Sequence, residues 1–403
     1  METHRQNLLA IYAAGIEAVK GDNAVYNALM KQGDLPSCHI IAIGKAAEAM
    51  YQGARRYLDN DIKSALLISK FGHFSEEVLA NPQVLTLEAA HPVPGDSSLQ
   101  AGQMLLEQLA KMPEGEPCLF LISGGASSLC EVLEEGWSLE RLQDLTQNLL
   151  AEAYGIHEMN AIRQRLSRIK GGKLWQHIGK RPVQALLISD VEGDAPTSIG
   201  SGLLFPPAED NVPERLSAEW KAQLPPFVSP DVPEDFQWHM VASNDLALTA
   251  MRQKAEALAY QVTVNARFLS GDAGDEACQC LSELNAAETG LHLWGGETTV
   301  RLPENPGRGG RNQHFALSGA LAMQGDKSLL LLAAGTDGSD GLSDDTGAVV
   351  DGATCQRGEL AGVDAEDCLK QADSGRFLEA SGDLIHTGPT GTNVMDVVIG
   401  LKV

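Results

Sequence analysis

Residues 38–50 read CHIIAIGKAAEAM, and they decide the fold class. Residues 40–43 form a short apolar run suited to a strand buried on both faces, and Gly44 turns that run into an Ala-rich helical segment. A strand that ends in glycine and feeds a helix is the repeating unit of a parallel α/β sheet. It sets Lys45 at a helix start above the carboxyl end of the strand, where open sheets of this kind bind ligands. The stretch is not a Walker A loop, because no glycine stands five residues before Gly44 and neither Ser nor Thr follows the lysine.

Working outward, the same design recurs. SALLISK (64–70) and VLTLEAAHPVP (84–94) are the next strands, the second delivering His91 into a proline-bounded turn that suits a structural histidine. PCLFLISGGASSL (117–129) adds a strand and a small-residue loop holding Ser123, Gly124, Gly125, Ser127 and Ser128. Small residues let backbone N–H groups approach phosphate oxygens, and the hydroxyls are expected to add donors; a plain tight turn is the competing reading. VQALLISDVEGD (183–194) places Asp190 at a strand end with Asp194 four residues on, a pair suited to Mg²⁺, to a general base or to a helix cap. Before it, RQRLSRIKGGKL (163–174) is the most basic short segment of the chain.

Composition bounds what such a chain can do. At 403 residues two or three domains are expected. Seven of 18 prolines fall in residues 206–233, which marks about 206–235 as a linker between an N-terminal domain, 1–235, and a C-terminal domain, 236–403. A formal net charge of −24 disfavours a nucleic-acid partner. No apolar run is long enough to span a bilayer and no signal peptide is read, so a cytoplasmic protein is expected. Seven cysteines without C-x-x-C or paired-His spacing read as reduced thiols and not as a zinc site.

In the second half, GGETTVRLPENPGRGGRNQHFAL (295–317) is read as a Gly295-Gly296 turn with Glu297, a β-prone segment and an Arg/Gly-rich loop that feeds a helix at Arg311. Arg308 and Arg311 among glycines at a helix start are the arrangement expected for holding an anion. LLLLAAGTDGSDGLSDD (329–345) delivers Asp337 into an acid-rich loop, and TGPTGTN (387–393) supplies Thr390 and Asn393 in a rigid, donor-rich turn. Phosphate-friendly loops, two kinds of cation and several acids, without a dinucleotide fingerprint, describe phosphoryl transfer to a small molecule.

These motifs resemble a known family. IGKAA, HPVP, SGGASSL, LSRIKGGKL, ISDVEGD, GGETTV, GRGGRNQ, AAGTDGSDG and TGPTGTNVMD, in this order from residue 43 to 396, look like the signatures of the glycerate 2-kinase family, whose C-terminal half is a MOFRL domain. The resemblance implies two different α/β domains, the first Rossmann-like with three layers and a parallel sheet, the second with a mixed sheet, and an active site in the cleft between them. It implies ATP-dependent phosphorylation of D-glycerate at the 2-hydroxyl, with Mg²⁺, and sets the family's essential lysine and arginine on Lys45 and Arg311. Asp190 and Asp337 are then the remaining catalytic candidates, and Asp190 and Asp194 the metal candidates. The nucleotide is expected at Ser123, Gly124, Gly125, Ser127, Ser128, Gly295, Gly296, Glu297, Thr390 and Asn393.

The chain departs from the family pattern at His314, where Glu is common, at Ser201-Gly202-Leu203-Leu204 in place of SGPT, and at Gly95-Asp96. Some relatives carry the label hydroxypyruvate reductase, an activity that would need a nicotinamide site; a carboxylate-binding protein without turnover is a third reading. The expected partner is a small-molecule substrate, with neither nucleic acid nor membrane, and a homodimer is compatible with the sequence.

Overall fold

A computed structural model of the protein describes residues 1–33, 35–152, 154–341 and 343–403. The chain divides into two units, residues 21–241 and residues 242–403 together with 1–20.

The first unit is built on strands β1 (Cys38–Ile43), β2 (Ile62–Lys70), β3 (Val84–Ala89), β4 (Cys118–Ile122), β5 (Val183–Ile188) and β6 (Gln237–Ala242). They lie in the order β3-β2-β1-β4-β5-β6, and the pairs β3/β2, β2/β1, β1/β4 and β4/β5 are parallel. Every residue of β1 and β4 is buried, as expected for central strands covered on both faces. The chain steps from β1 outward to β3 and then returns to β4 on the other side of β1. The ends of β1 and β4 therefore diverge at a topological switch point, the place where sheets of this kind open a crevice.

The second unit is a mixed sheet of β7 (Val262–Val264), β8 (Leu269–Asp272), β9 (Gly290–Thr299), β10 (Leu329–Gly335), β11 (Gly347–Asp351), β12 (Leu384–Ile385) and β13 (Asp396–Lys402). Its order is β12-β11-β10-β13-β9-β7, with β8 also paired to β9. Along β10 the period of two divides the core cleanly. Leu329, Leu331 and Ala333 pack with residues of the helices Ala273–Ala286 and Arg311–Ala322 on one face. Leu330, Leu332 and Ala334 pack on the other with Leu8, Ile11, Leu248 and Met251.

Three features correct the sequence reading of the boundaries. The N-terminal helix Glu2–Val19 packs in the second unit, because its apolar stripe of Leu8, Ile11 and Tyr12 completes the core on that sheet. Strand β6, read from sequence as the opening of the C-terminal domain, joins the first sheet. The proline-rich segment is not a linker. Leu216 is buried with Leu142, Leu145 and Ile162, and Trp220 stacks on Trp137 at 6.2 Å between ring centroids. Prolines deny this segment a ladder, but its Leu and Trp side chains still find a core.

Candidate functional site

In the first unit the candidate residues gather where β1 and β4 end. The Lys45 N–H donates to the Gly124 carbonyl at 2.9 Å, and the Ser123 N–H donates to the Ile43 carbonyl at 3.0 Å, so the two loops are stitched together. A β-carbon on Gly124 would overlap the Asp190 carboxylate, and one on Gly125 would stand 3.1 Å from His91 Nε2 and 3.4 Å from Lys45 Cγ. Only glycine leaves the loop this close to all three side chains, and Gly125 also holds a left-handed φ of 84°. The ends of β1, β3, β4 and β5 thus bring Lys45, His91, Gly124, Gly125 and Asp190 together. Asp194, at φ 53°, lies in the following turn, where its N–H donates to the Val191 carbonyl.

The three serine hydroxyls of this loop do not behave alike. Ser123 Oγ accepts from the Ala46 N–H at 3.1 Å, and Ser128 Oγ donates to the Gly125 carbonyl at 3.1 Å. Both are buried, so the expectation that all three are donors to a phosphate is corrected: these two serve the loop itself. Ser127 is half-buried and lies 2.7 Å from Ser201 Oγ.

Part of the basic segment 163–174 points inward, although Arg168 is exposed. Lys170 pairs with Glu131, both side chains almost wholly buried, and Lys173 pairs with Glu134 at 2.8 Å. Burial pulls the Lys170 pKa down, and the Glu131 charge opposes that pull. These cations brace the loop after β4 and are not a solvated face.

In the second unit, strand register builds the centre. Asp396 stands between Gly335 and Gly296, because β13 pairs with β10 on one side and β9 on the other. Arg311 opens the helix Arg311–Ala322 and binds Asp396 with two nitrogens, Nε at 2.5 Å and Nη2 at 2.9 Å. Nη2 also lies 3.0 Å from Glu297 Oε1. Burial by itself would lower the Arg311 pKa; Asp396, Glu297 and Asp340 outweigh it and raise it. Asp340 caps the same helix, accepting from the Asn312 and Gln313 N–H groups at 3.1 and 2.8 Å. Burial pushes its carboxyl up to about 6 against those two bonds.

The Gly295-Gly296 turn expected from sequence is the interior of β9. Both glycines answer to packing: a β-carbon on Gly295 would overlap Asn244 Oδ1, and one on Gly296 the backbone of Leu269 on β8. Arg308, read as a second anion-binding arginine, donates to Glu379 at 2.8 Å and to the Gly375 carbonyl at 3.1 Å. Asp337 accepts from the Ser339 N–H and hydroxyl at 3.1 Å each. Thr390 donates to the Thr336 carbonyl at 2.6 Å, and Asn393 accepts from the Met395 N–H at 3.4 Å, so the 387–395 turn braces the Asp337 loop. Asp337, Asp340 and Asp345 each have separate partners, and among the described residues no three metal-ligating side chains converge.

Beside Arg311 the second unit has a cavity of about 470 Å³, lined among others by Glu297, Val300, Leu302, Pro306, His314 and Ser374. Among the described residues, His314 Nδ1 and Ser374 Oγ are buried and find no hydrogen-bond partner. Burial lowers the His314 pKa, with Asp272 pulling the other way.

Sequence reasoning missed Tyr12, Asp396, Asn160 and Ser201 as parts of these arrangements. The Tyr12 hydroxyl donates to the Gly335 carbonyl at 2.6 Å, and its pKa is raised by burial and by Asp337 and Asp396. Asp396 stood inside the TGPTGTNVMD motif, which was the available signal. Tyr12 and Asn160 carried none.

The two units and their loops define an α/β protein with a glycine-serine loop and a lysine at a sheet switch point. Residues 7–228 match a domain of unknown function, DUF4147, and residues 290–396 match the MOFRL family. The D-glycerate 2-kinase of Thermotoga maritima is 34% identical, with 100% of this chain and 99% of that protein aligned. The glycerate 2-kinase of Pyrococcus horikoshii is also 34% identical, over 90% of this chain and 87% of its own. The crystal structure of glycerate kinase from Thermotoga maritima superimposes with a TM-score of 0.87 at 32% identity, covering all of both chains. The chain belongs to the family that joins a DUF4147 domain to a MOFRL domain, the family of these glycerate 2-kinases.

Proposed function

We propose that the protein transfers a phosphoryl group from ATP to the 2-hydroxyl of D-glycerate, giving 2-phosphoglycerate and ADP. Its relatives at 34% identity are named glycerate 2-kinases, and the observation in this chain that favours the reading is the convergence of Lys45 and Asp190 on the Gly124-Gly125 loop. Phosphoryl transfer needs close backbone approach to the phosphates, a cation for the developing charge and a carboxylate near the attacking hydroxyl. The glycine pair, Lys45 and Asp190 supply one each. Arg311 is the second cation, its planar fork held in orientation by Asp396, and we assign it to the substrate carboxylate or the transferred group.

The donor set fits a magnesium nucleotide. Mg²⁺ keeps most of its waters and takes one or two protein carboxylates beside the phosphates, so a converging trio of ligands is not required. Asp194, four residues on from Asp190, is the carboxylate we assign to it, which leaves Asp190 for the hydroxyl; bound there, the ion would offset phosphate charge. Asp337 remains the alternative carboxylate for the hydroxyl proton. The test is ³¹P NMR of purified protein incubated with ATP, Mg²⁺ and D-glycerate. Appearance of 2-phosphoglycerate supports the reading, whereas 3-phosphoglycerate as sole product overturns its regiochemistry.

A further inference from the structure

Of the three hydroxyls in the loop after β4, Ser127 alone is partly exposed; Ser123 and Ser128 are buried. What Ser127 can offer a ligand depends on where its single proton goes. Its oxygen lies 2.7 Å from Ser201 Oγ, and Ser201 Oγ donates at 2.9 Å to Asn160 Oδ1, a carbonyl oxygen that only accepts. Ser201 has one proton and gives it to Asn160. Ser127 must therefore donate to Ser201, which leaves only lone pairs on Ser127 to face a ligand.

Ser201 is fixed in this role by its surroundings. It is fully buried and holds a left-handed φ of 56° between Gly200 at 58° and Gly202 at 70°. A serine in that region is strained and persists only where neighbours over-determine it. They do so here. The Ser201 carbonyl accepts from the Gly171 N–H at 3.0 Å and from Gln164 Nε2 at 3.3 Å, and Gln164 also donates to the Thr197 carbonyl at 3.1 Å. Asn160 and Gln164 lie one turn apart on the helix Ile156–Leu166, so a single helix face holds both the Ser201 hydroxyl and its carbonyl.

An acceptor-only hydroxyl faces a phosphate oxygen lone pair to lone pair, so Ser127 does not suit the phosphates. It suits a donor. Resting on the glycerate kinase reading, the donors at hand are the two hydroxyls of the hydroxy acid. The reacting hydroxyl must lose its proton, and a serine hydroxyl is far too weak a base to take it, whereas the Asp190 carboxylate beside Gly124 is not. We infer that Ser127 accepts a hydrogen bond from the spectator 3-hydroxyl of D-glycerate, with Ser201 as the positioning residue that fixes its proton and Asn160 as the anchor of the relay. The loop then tells a dihydroxy acid from its 3-deoxy analogue and turns the 2-hydroxyl toward transfer.

The experiment compares D-glycerate with D-lactate, which keeps the carboxylate and 2-hydroxyl and carries a methyl group in place of the hydroxymethyl. The readout is the ratio of kcat/KM values, with the competitive inhibition constant of D-lactate where its turnover is slow, alongside the melting temperature of each variant. Ser127→Ala and Ser201→Ala are each expected to lower the preference for D-glycerate roughly tenfold, as loss of one oriented hydrogen bond does. Asn160→Asp keeps an acceptor for Ser201 and should retain the preference. A purely structural serine would lower both substrates alike and leave the ratio fixed; that result in either alanine variant overturns the inference. Wild-type protein without D-glycerate turnover is a separate outcome, and it removes the kinase reading on which the inference rests.

Discussion

At the scale of single residues, two basic side chains, one structural and one assigned to the site, sit in opposite electrostatic settings. Lys170 is buried against one carboxylate and braces a loop, whereas Arg311 is a third exposed and surrounded by Asp396, Glu297 and Asp340. Its fork is what Asp396 orients, so Arg311→Lys, which keeps charge and loses the planar donors, should lower kcat by on the order of a thousandfold while the melting curve stays cooperative. Near-normal turnover in that variant removes Arg311 from the mechanism. Asp340 carries a pH dependence. Its folded carboxyl titrates near 6 and an unfolded aspartate near 4, so between those values the folded chain holds a proton that the unfolded chain has lost. This group favours folding at pH 4, and that contribution is lost as pH rises through 6. Asp340→Asn, compared with wild type by denaturant unfolding, should gain relative stability on the order of 2 kcal/mol between pH 4 and 7. A constant difference across that range would show that Asp340 does not titrate there.

At the scale of elements, the loop between β4 and its short following helix works by omission of side chains. Gly124→Ala puts a methyl group where the Asp190 carboxylate lies, and the carboxylate must swing aside. An ångström of misplacement at a reacting group costs about a hundredfold. The variant should lose about that factor in kcat with unchanged circular dichroism; a loss below threefold means Asp190 is not the working carboxylate. The N-terminal helix Glu2–Val19 acts on another loop by docking. Its Tyr12 hydroxyl is the partner of the Gly335 carbonyl, just before Thr336 and Asp337. Tyr12→Phe leaves a buried carbonyl unpaired there and should cost about 1 to 2 kcal/mol in denaturant unfolding.

At the scale of the whole molecule, chain order and packing order differ. Residues 1–20 belong with 242–403, because without them Leu330, Leu332, Ile399 and Met251 lose the apolar face of the first helix. A fragment of residues 242–403 is expected to be unstable or to aggregate, and a synthetic peptide of residues 1–20 to restore cooperative melting. Residues 21–241, which hold their own sheet and core, should fold alone. An equally stable 242–403 fragment with and without the peptide would refute the assignment of the helix to that unit.

The sequence by itself determined the alternation of strand and helix, the strand-end places of Lys45, Ser123 and Asp190, and the family, because apolar period and glycine spacing are local properties written residue by residue. It also showed which loops carry small residues. It did not show why: Gly295 and Gly296 read like a turn, yet they are glycine because Asn244 and Leu269 press on β9 from 51 and 27 residues earlier in the chain. The proline-rich stretch looked like a linker, since backbone composition records missing ladders and not the burial of Leu216 or Trp220. Which hydroxyl donates and which accepts, and which aspartate stands beside Arg311, were decided by the tertiary structure alone. Those are relations between atoms brought together across 41 residues at Asn160 and Ser201, and 85 at Arg311 and Asp396, and only the folded sheet and helices fix them.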